Sequence, residues 1–84
     1  MLIIYGSMLC PDCVQCRLEL DEAGIAYEYR DFSEKMSNLK EFLALRDREA
    51  IFEEVRKNGK VGIPCLVTPE GITLSWEQLL PPRG

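Results

Sequence analysis

The chain has 84 residues, 46% of them hydrophobic and 29% charged, with a net charge of −4; this fits a single folded domain over 1–84 with one small core and excludes a disordered chain. The acidic balance sets nucleic acid aside as a partner, because phosphate binding is driven by clustered Lys and Arg and the longest basic cluster here is Arg56, Lys57 and Lys60. No apolar run approaches the roughly 18 residues of a membrane helix, and Met1-Leu2-Ile3-Ile4-Tyr5 lacks both the basic region and the long apolar core of a signal peptide, so a cytoplasmic protein with no membrane partner is expected.

Leu2 to Tyr5 is a continuous apolar run bounded by Gly6-Ser7. It reads as a strand buried on both faces. The period then changes. Over residues 11–23, Cys13, Cys16, Leu20 and Ala23 fall on one helical face, and Gln15, Glu19 and Glu22 point away. Pro11 suits the first turn, where its missing N–H is not needed, and Gly24 stops the helix. Ile25 to Phe32 alternates roughly apolar and polar, as a second strand does. A helix between two strands makes a βαβ unit with parallel strands.

Ser37 or Asn38 is read as the cap of a second helix, with Leu39, Phe42, Leu43 and Arg46 along its buried stripe. Asp47 looks like a new cap, with Ile51, Phe52 and Val55 on the next apolar face. A break is expected near Arg46-Asp47-Arg48, one bent helix being the alternative, and Asn58-Gly59 ends the segment. Leu66 to Thr68 and Ile72 to Leu74 flank the turn sequence Pro69-Glu70-Gly71 and form a hairpin. Ser75 can cap a short last helix, Trp76 to Leu80, which Pro81-Pro82 stops. The expected fold is α/β, of order β-α-β-α-(α)-β-β-α, with a four-stranded mixed sheet flanked by helices.

The chemistry sits in Cys10-Pro11-Asp12-Cys13. Histidine is absent, which removes a Cys–His dyad and any His-ligated metal. In a reducing compartment a close cysteine pair is more often catalytic or metal-binding than structural. Cys10 falls just before the first helical turn, where unpaired backbone N–H groups stabilise a thiolate, the form that attacks disulfides. Asp12 opposes that ionisation but can cap the helix. Cys13 lies one turn deeper, as a resolving thiol would. Cys16 faces the sheet as a small hydrophobe, and Cys65 reads as a core residue at the start of a strand. The aromatics Tyr27, Tyr29, Phe32, Phe42 and Phe52 read as core or flank, and Trp76 as packing at the end of the domain.

Tyr5-Gly6-Ser7, Cys10-Pro11-Asp12-Cys13-Val14, Leu20-Asp21-Glu22 and Gly24-Ile25-Ala26-Tyr27-Glu28 together resemble the first half of a glutaredoxin, and Val61-Gly62-Ile63-Pro64 resembles that family's segment around a cis-proline. The resemblance covers most of the chain. It implies the thioredoxin-like fold and a thiol–disulfide oxidoreductase, with Cys10 as nucleophile, Cys13 as resolving thiol, and Pro11, Asp12, Ile63 and Pro64 on the substrate side. The partners it implies are a disulfide-bearing protein and an electron donor, either glutathione or a thioredoxin reductase, acting on a monomer with no bound cofactor. Glutathione would be a co-substrate. The family's diglycine turn for one glutathione carboxylate is replaced here by Leu74-Ser75-Trp76-Glu77, and Ser7, Met8 and Leu9 ahead of the motif are neutral; Lys57 and Lys60 are the remaining candidates for holding an anionic substrate.

Two other functions compete. Cys10, Cys13, Cys16 and Cys65 could hold zinc or an iron–sulfur cluster if all four sulfurs converge. A non-catalytic adaptor on the same scaffold is the third reading, since fold does not fix function.

Overall fold

The computed structural model describes residues 1–82. Four short strands make one mixed sheet: β1 (Ile3–Gly6), β2 (Glu28–Asp31), β3 (Cys65–Thr68) and β4 (Gly71–Thr73), in spatial order β2-β1-β3-β4. β1 runs parallel to β2, with Ile4 opposite Tyr29 and Gly6 opposite Asp31. It runs antiparallel to β3, with Ile4 opposite Leu66 and Tyr5 opposite Cys65. The parallel pair requires a crossover, supplied by α1 (Pro11–Glu22). The antiparallel β3–β4 pair needs only the Pro69-Glu70 turn, and Thr68 faces Gly71 across it. The hairpin is thus as expected, each strand starting one residue earlier.

Side chains alternate across this sheet, so each central strand feeds two cores. On one face, Ile4 and Leu66 are fully buried with Cys16 and Leu20 of α1, and Ile25, Tyr27, Tyr29 and Trp76 pack around them. On the other, Tyr5 and Cys65 are buried with Phe42 and Phe52, which come from α2 (Met36–Arg48) and the 3-10 turn Ala50–Phe52. Phe42 stands 5.1 Å from Phe32 and 5.7 Å from Phe52, ring centre to ring centre, within the range at which aromatic pairs attract. β1 is buried on both sides, as its unbroken apolar run requires. The last helical element is a single 3-10 turn, Trp76–Leu79, with no side-chain cap from Ser75.

Several local expectations are corrected. Ala23 is exposed because the first helix ends at Glu22 and Ala23 only closes it. β2 starts at Glu28, three residues later than the alternation suggests. Neither Ser37 nor Asn38 caps α2: Lys35 holds that place without a side-chain bond, and the buried Asn38 amide instead donates to the Asp31 carbonyl at 2.8 Å. Leu43 is 40% exposed, because it lies about 100° around α2 from Phe42, off the face on which Asn38, Phe42 and Leu45 are covered. Asp47 lies inside α2, and the break falls at Glu49, whose ψ of 133° is extended. Arg56, from α3 (Glu53–Lys57), donates to the Arg46 carbonyl at this break and to the Glu49 carbonyl, which also accepts the Phe52 amide at 3.1 Å. α1 and α3 are each followed by a left-handed glycine where predicted, Gly24 (φ 71°) and Gly59 (φ 66°).

Candidate functional site

The sheet's polarity assembles the site. β1 and β2 end together at Gly6 and Asp31, and β3, running the other way, begins at the same end with Cys65. The CPDC segment leaves β1 there, and Ile63-Pro64 enters β3 there. The Ile63–Pro64 peptide bond is cis; Pro64 is buried and Ile63 is half-buried against the Phe42–Phe52 cluster.

Ser7 shapes the loop that carries the first cysteine. Its hydroxyl accepts the Leu9 amide at 3.2 Å and its carbonyl accepts the Cys10 amide at 3.0 Å. Cys10 then takes extended angles (φ −94°, ψ 119°) as the residue capping α1, and its carbonyl receives the Val14 amide at 3.1 Å. Pro11 opens the helix and Asp12 lies in its first turn, both exposed. Asp12 is therefore not the cap; Cys10 occupies that position. Cys10 is partly exposed, whereas Cys13 is fully buried.

The Cys13 sulfur is enclosed by polar neighbours. Burial pushes its thiol pKa up to about 11; the backbone N–H of Ser7 and the hydroxyl of Tyr29 pull the other way, and the Cys10 thiol lies within hydrogen-bonding reach. Gly6 makes this arrangement possible. A Cβ on Gly6 would stand 2.8 Å from both the Cys13 Sγ and the Tyr29 Oη, closer than non-bonded atoms approach. The Tyr29 hydroxyl is enclosed and has no hydrogen-bond partner of ordinary geometry. Its pKa is raised, by burial first and then by Cys13 and Asp31.

Arg17 and Asp31 complete the surroundings. The Arg17 guanidinium lies 4.3 Å from the Tyr29 ring centre, donates to the Tyr27 hydroxyl at 3.3 Å and reaches the Met8 sulfur at 3.2 Å. It ties α1 to β2 and to the loop ahead of Cys10. Asp31 is 5% exposed and accepts the Ser33 hydroxyl and amide at 2.6 and 2.7 Å. Those bonds, with the Met8 amide, hold its carboxyl below the usual range. Ahead of β3, Arg46 donates to the Val61 carbonyl at 2.9 Å and to the Lys60 carbonyl, fixing the segment that leads to Ile63-Pro64.

Sequence reasoning missed Gly6, Arg17, Tyr29, Asp31 and Arg46. The available signal was the alternation of β2, which puts Tyr29 and Asp31 on the face shared with Ile4 and Gly6, but the parallel register was needed to bring them under Cys13. The four sulfurs do not converge: Cys16 belongs to the α1 core and Cys65 to the core on the opposite face. Among the described residues no three Cys, Asp or Glu side chains form a metal-ligand group, and no helix is long and apolar enough to cross a membrane.

The fold and site together define an α/β chain with a paired cysteine motif at one end of a mixed sheet. The chain is 38% identical over 69 residues to an uncharacterized protein of Haemophilus influenzae, an overlap covering 82% of this chain and 80% of that one, and it belongs to the same family. No family model and no solved structure matches the chain.

Proposed function

We propose that this chain is a thiol–disulfide oxidoreductase of glutaredoxin-like character on a thioredoxin-like fold, acting in the cytoplasm. The observation that carries the reading is the unequal placement of two neighbouring thiols: Cys10 at the open mouth of α1, Cys13 enclosed one turn deeper. The first is placed as an accessible nucleophile at a helix N-terminus and the second as an internal one.

The Cys10 thiolate attacks one sulfur of a substrate disulfide, forming a Cys10–substrate disulfide and expelling the other sulfur as a thiolate, which takes up a proton. Cys13 then attacks the Cys10 sulfur. A Cys10–Cys13 disulfide forms, the second substrate sulfur leaves, and the proton lost by Cys13 balances the one that sulfur gains. The substrate is reduced by two electrons and the protein oxidised by two. A thiol donor, glutathione or a thioredoxin reductase, reverses the change. Pro11, Asp12, Ile63 and Pro64 border the approach to Cys10.

The surroundings favour a polypeptide disulfide as substrate. Leu9, 92% exposed, precedes Cys10, and Val61, 55% exposed, precedes Ile63-Pro64. Such apolar side chains fit an extended peptide better than a small anion. Turnover of insulin or of a glutathionylated peptide tests the reading. Cys10→Ser should abolish it, and Cys16→Ala should leave it nearly intact. Equal loss from both would contradict the division of roles, stoichiometric zinc or iron in the purified protein would favour the metal reading, and an inert wild type would favour the adaptor.

A further inference from the structure

We infer that Tyr29 is a catalytic residue of the resolving step: its hydroxyl, packed with the Cys13 sulfur into the space left open by Gly6, donates a hydrogen bond to the thiolate that Cys13 becomes as it attacks Cys10. The inference rests on the oxidoreductase reading and adds a residue to it.

The geometry is specific. The register sets Tyr29 opposite Ile4, two residues before the Gly6–Asp31 pair and on the same face of the sheet, and its hydroxyl reaches the Gly6 end of β1. There, one missing side chain leaves room for two atoms at once, the Cys13 Sγ and the Tyr29 Oη. A buried hydroxyl without a partner is costly and uncommon in a folded protein. In the resting form a neutral thiol is a weak acceptor, and the donor goes unused. When Cys13 ionises, its sulfur becomes the charged acceptor that this hydroxyl lacks, and charge-assisted bonds are the strong ones.

Tyr29 is suited to donating and unsuited to ionising. Burial, Cys13 and Asp31 each disfavour the phenolate. The Arg17 guanidinium over the ring pulls the other way, but it is the smallest of these influences, and its stacking 4.3 Å from the ring centre holds the ring in place. The titratable and charged groups facing the Cys13 sulfur and the Tyr29 hydroxyl are therefore Cys10 and Arg17, from the motif and α1, Cys16 one turn further along α1, and Asp31 from β2. Tyr29 keeps its proton throughout the step: the proton Cys13 loses balances the one gained by the departing substrate thiolate, and the hydroxyl only stabilises the sulfur between those events.

Tyr29→Phe removes the donor and keeps the ring under Arg17. Titrating cysteine labelled at the β-carbon by NMR reads each thiol separately and needs no turnover. The Cys13 midpoint should rise by about one pH unit, with Cys65, which burial alone shifts, unmoved. In rapid-mixing kinetics the resolving step should slow roughly threefold, because a roughly tenfold smaller thiolate fraction is partly offset by the greater nucleophilicity of the more basic thiolate, while attack by Cys10, read in a Cys13→Ser background, is unchanged. Site-specific 3-fluorotyrosine at position 29, a stronger donor of nearly the same shape, should move the Cys13 midpoint down, and it serves if the Phe variant does not fold. A Cys13 midpoint unaffected by either change overturns the inference. A wild type that leaves disulfides intact while its Cys13 midpoint does respond overturns the oxidoreductase reading instead.

Discussion

Gly6 ends β1 directly against Cys13: a Cβ at Gly6 would stand 2.8 Å from the Cys13 sulfur and equally close to the Tyr29 hydroxyl. The backbone must therefore yield, or both polar groups must move. Gly6→Ala should lower stability by about 1–3 kcal/mol, the usual cost of overpacking a close-packed site. It should also displace Cys13 from Cys10, so formation of the internal disulfide slows more than the first attack does. Urea unfolding and single-turnover kinetics check the two effects; full stability in the variant would contradict the packing described.

Stability should fall at alkaline pH for a specific reason. Burial pushes the thiols of Cys13 up to about 11 and of Cys16 and Cys65 up to about 12. A raised folded-state value means the folded chain keeps protons that the unfolded chain releases, so this stabilisation is complete below the unfolded value of about 8.5 and is lost as pH climbs towards the folded values. Unfolding free energy should be level near neutrality and then decline from about pH 9, by up to about 1.4 kcal/mol per pH unit for each thiol ionising only in the unfolded chain. Cys16→Ala should cost about 1 kcal/mol at neutral pH and make the decline shallower. Urea titrations at neutral and alkaline pH measure both.

Arg46 holds the segment before Ile63-Pro64 through the Lys60 and Val61 carbonyls. Arg46→Ala removes those bonds, at a cost of about 1 kcal/mol each. If that segment borders the bound peptide, KM for a protein disulfide should rise while kcat changes little, and amide exchange over residues 60–62 should quicken. An unchanged KM would detach the segment from substrate binding.

What could be read from the chain alone follows from which interactions are local. The unbroken apolar run of Leu2 to Tyr5, the proline and glycine bracketing α1, and the Pro69-Glu70-Gly71 turn act within a few residues, and each element formed within a residue of where those signals put it. The errors arose where a distant partner overrode a local preference. Asn38 is a good helix cap, but the Asp31 carbonyl claims its amide. Asp47 looks like a helix start, but α2 runs past it, and Arg56 closes off the carbonyls at the later break. Leu43 is apolar and next to Phe42 in sequence, yet it lies about 100° around α2 from it, and which of the two faces the sheet is set by how the helix packs. The cysteine pair was legible because helix position alone separates its members. The Arg17, Tyr29 and Asp31 surroundings were not, because they depend on the register between β1 and β2.

The account depends most on Cys10 attacking a disulfide while Cys13 waits behind it. Cys13→Ser protein incubated with a disulfide-bonded peptide and then analysed by mass spectrometry tests that directly. The account predicts one stable peptide adduct, on Cys10, with Cys16 and Cys65 unmodified. A chain that stays unmodified, or carries the peptide on Cys16 or Cys65, would contradict it.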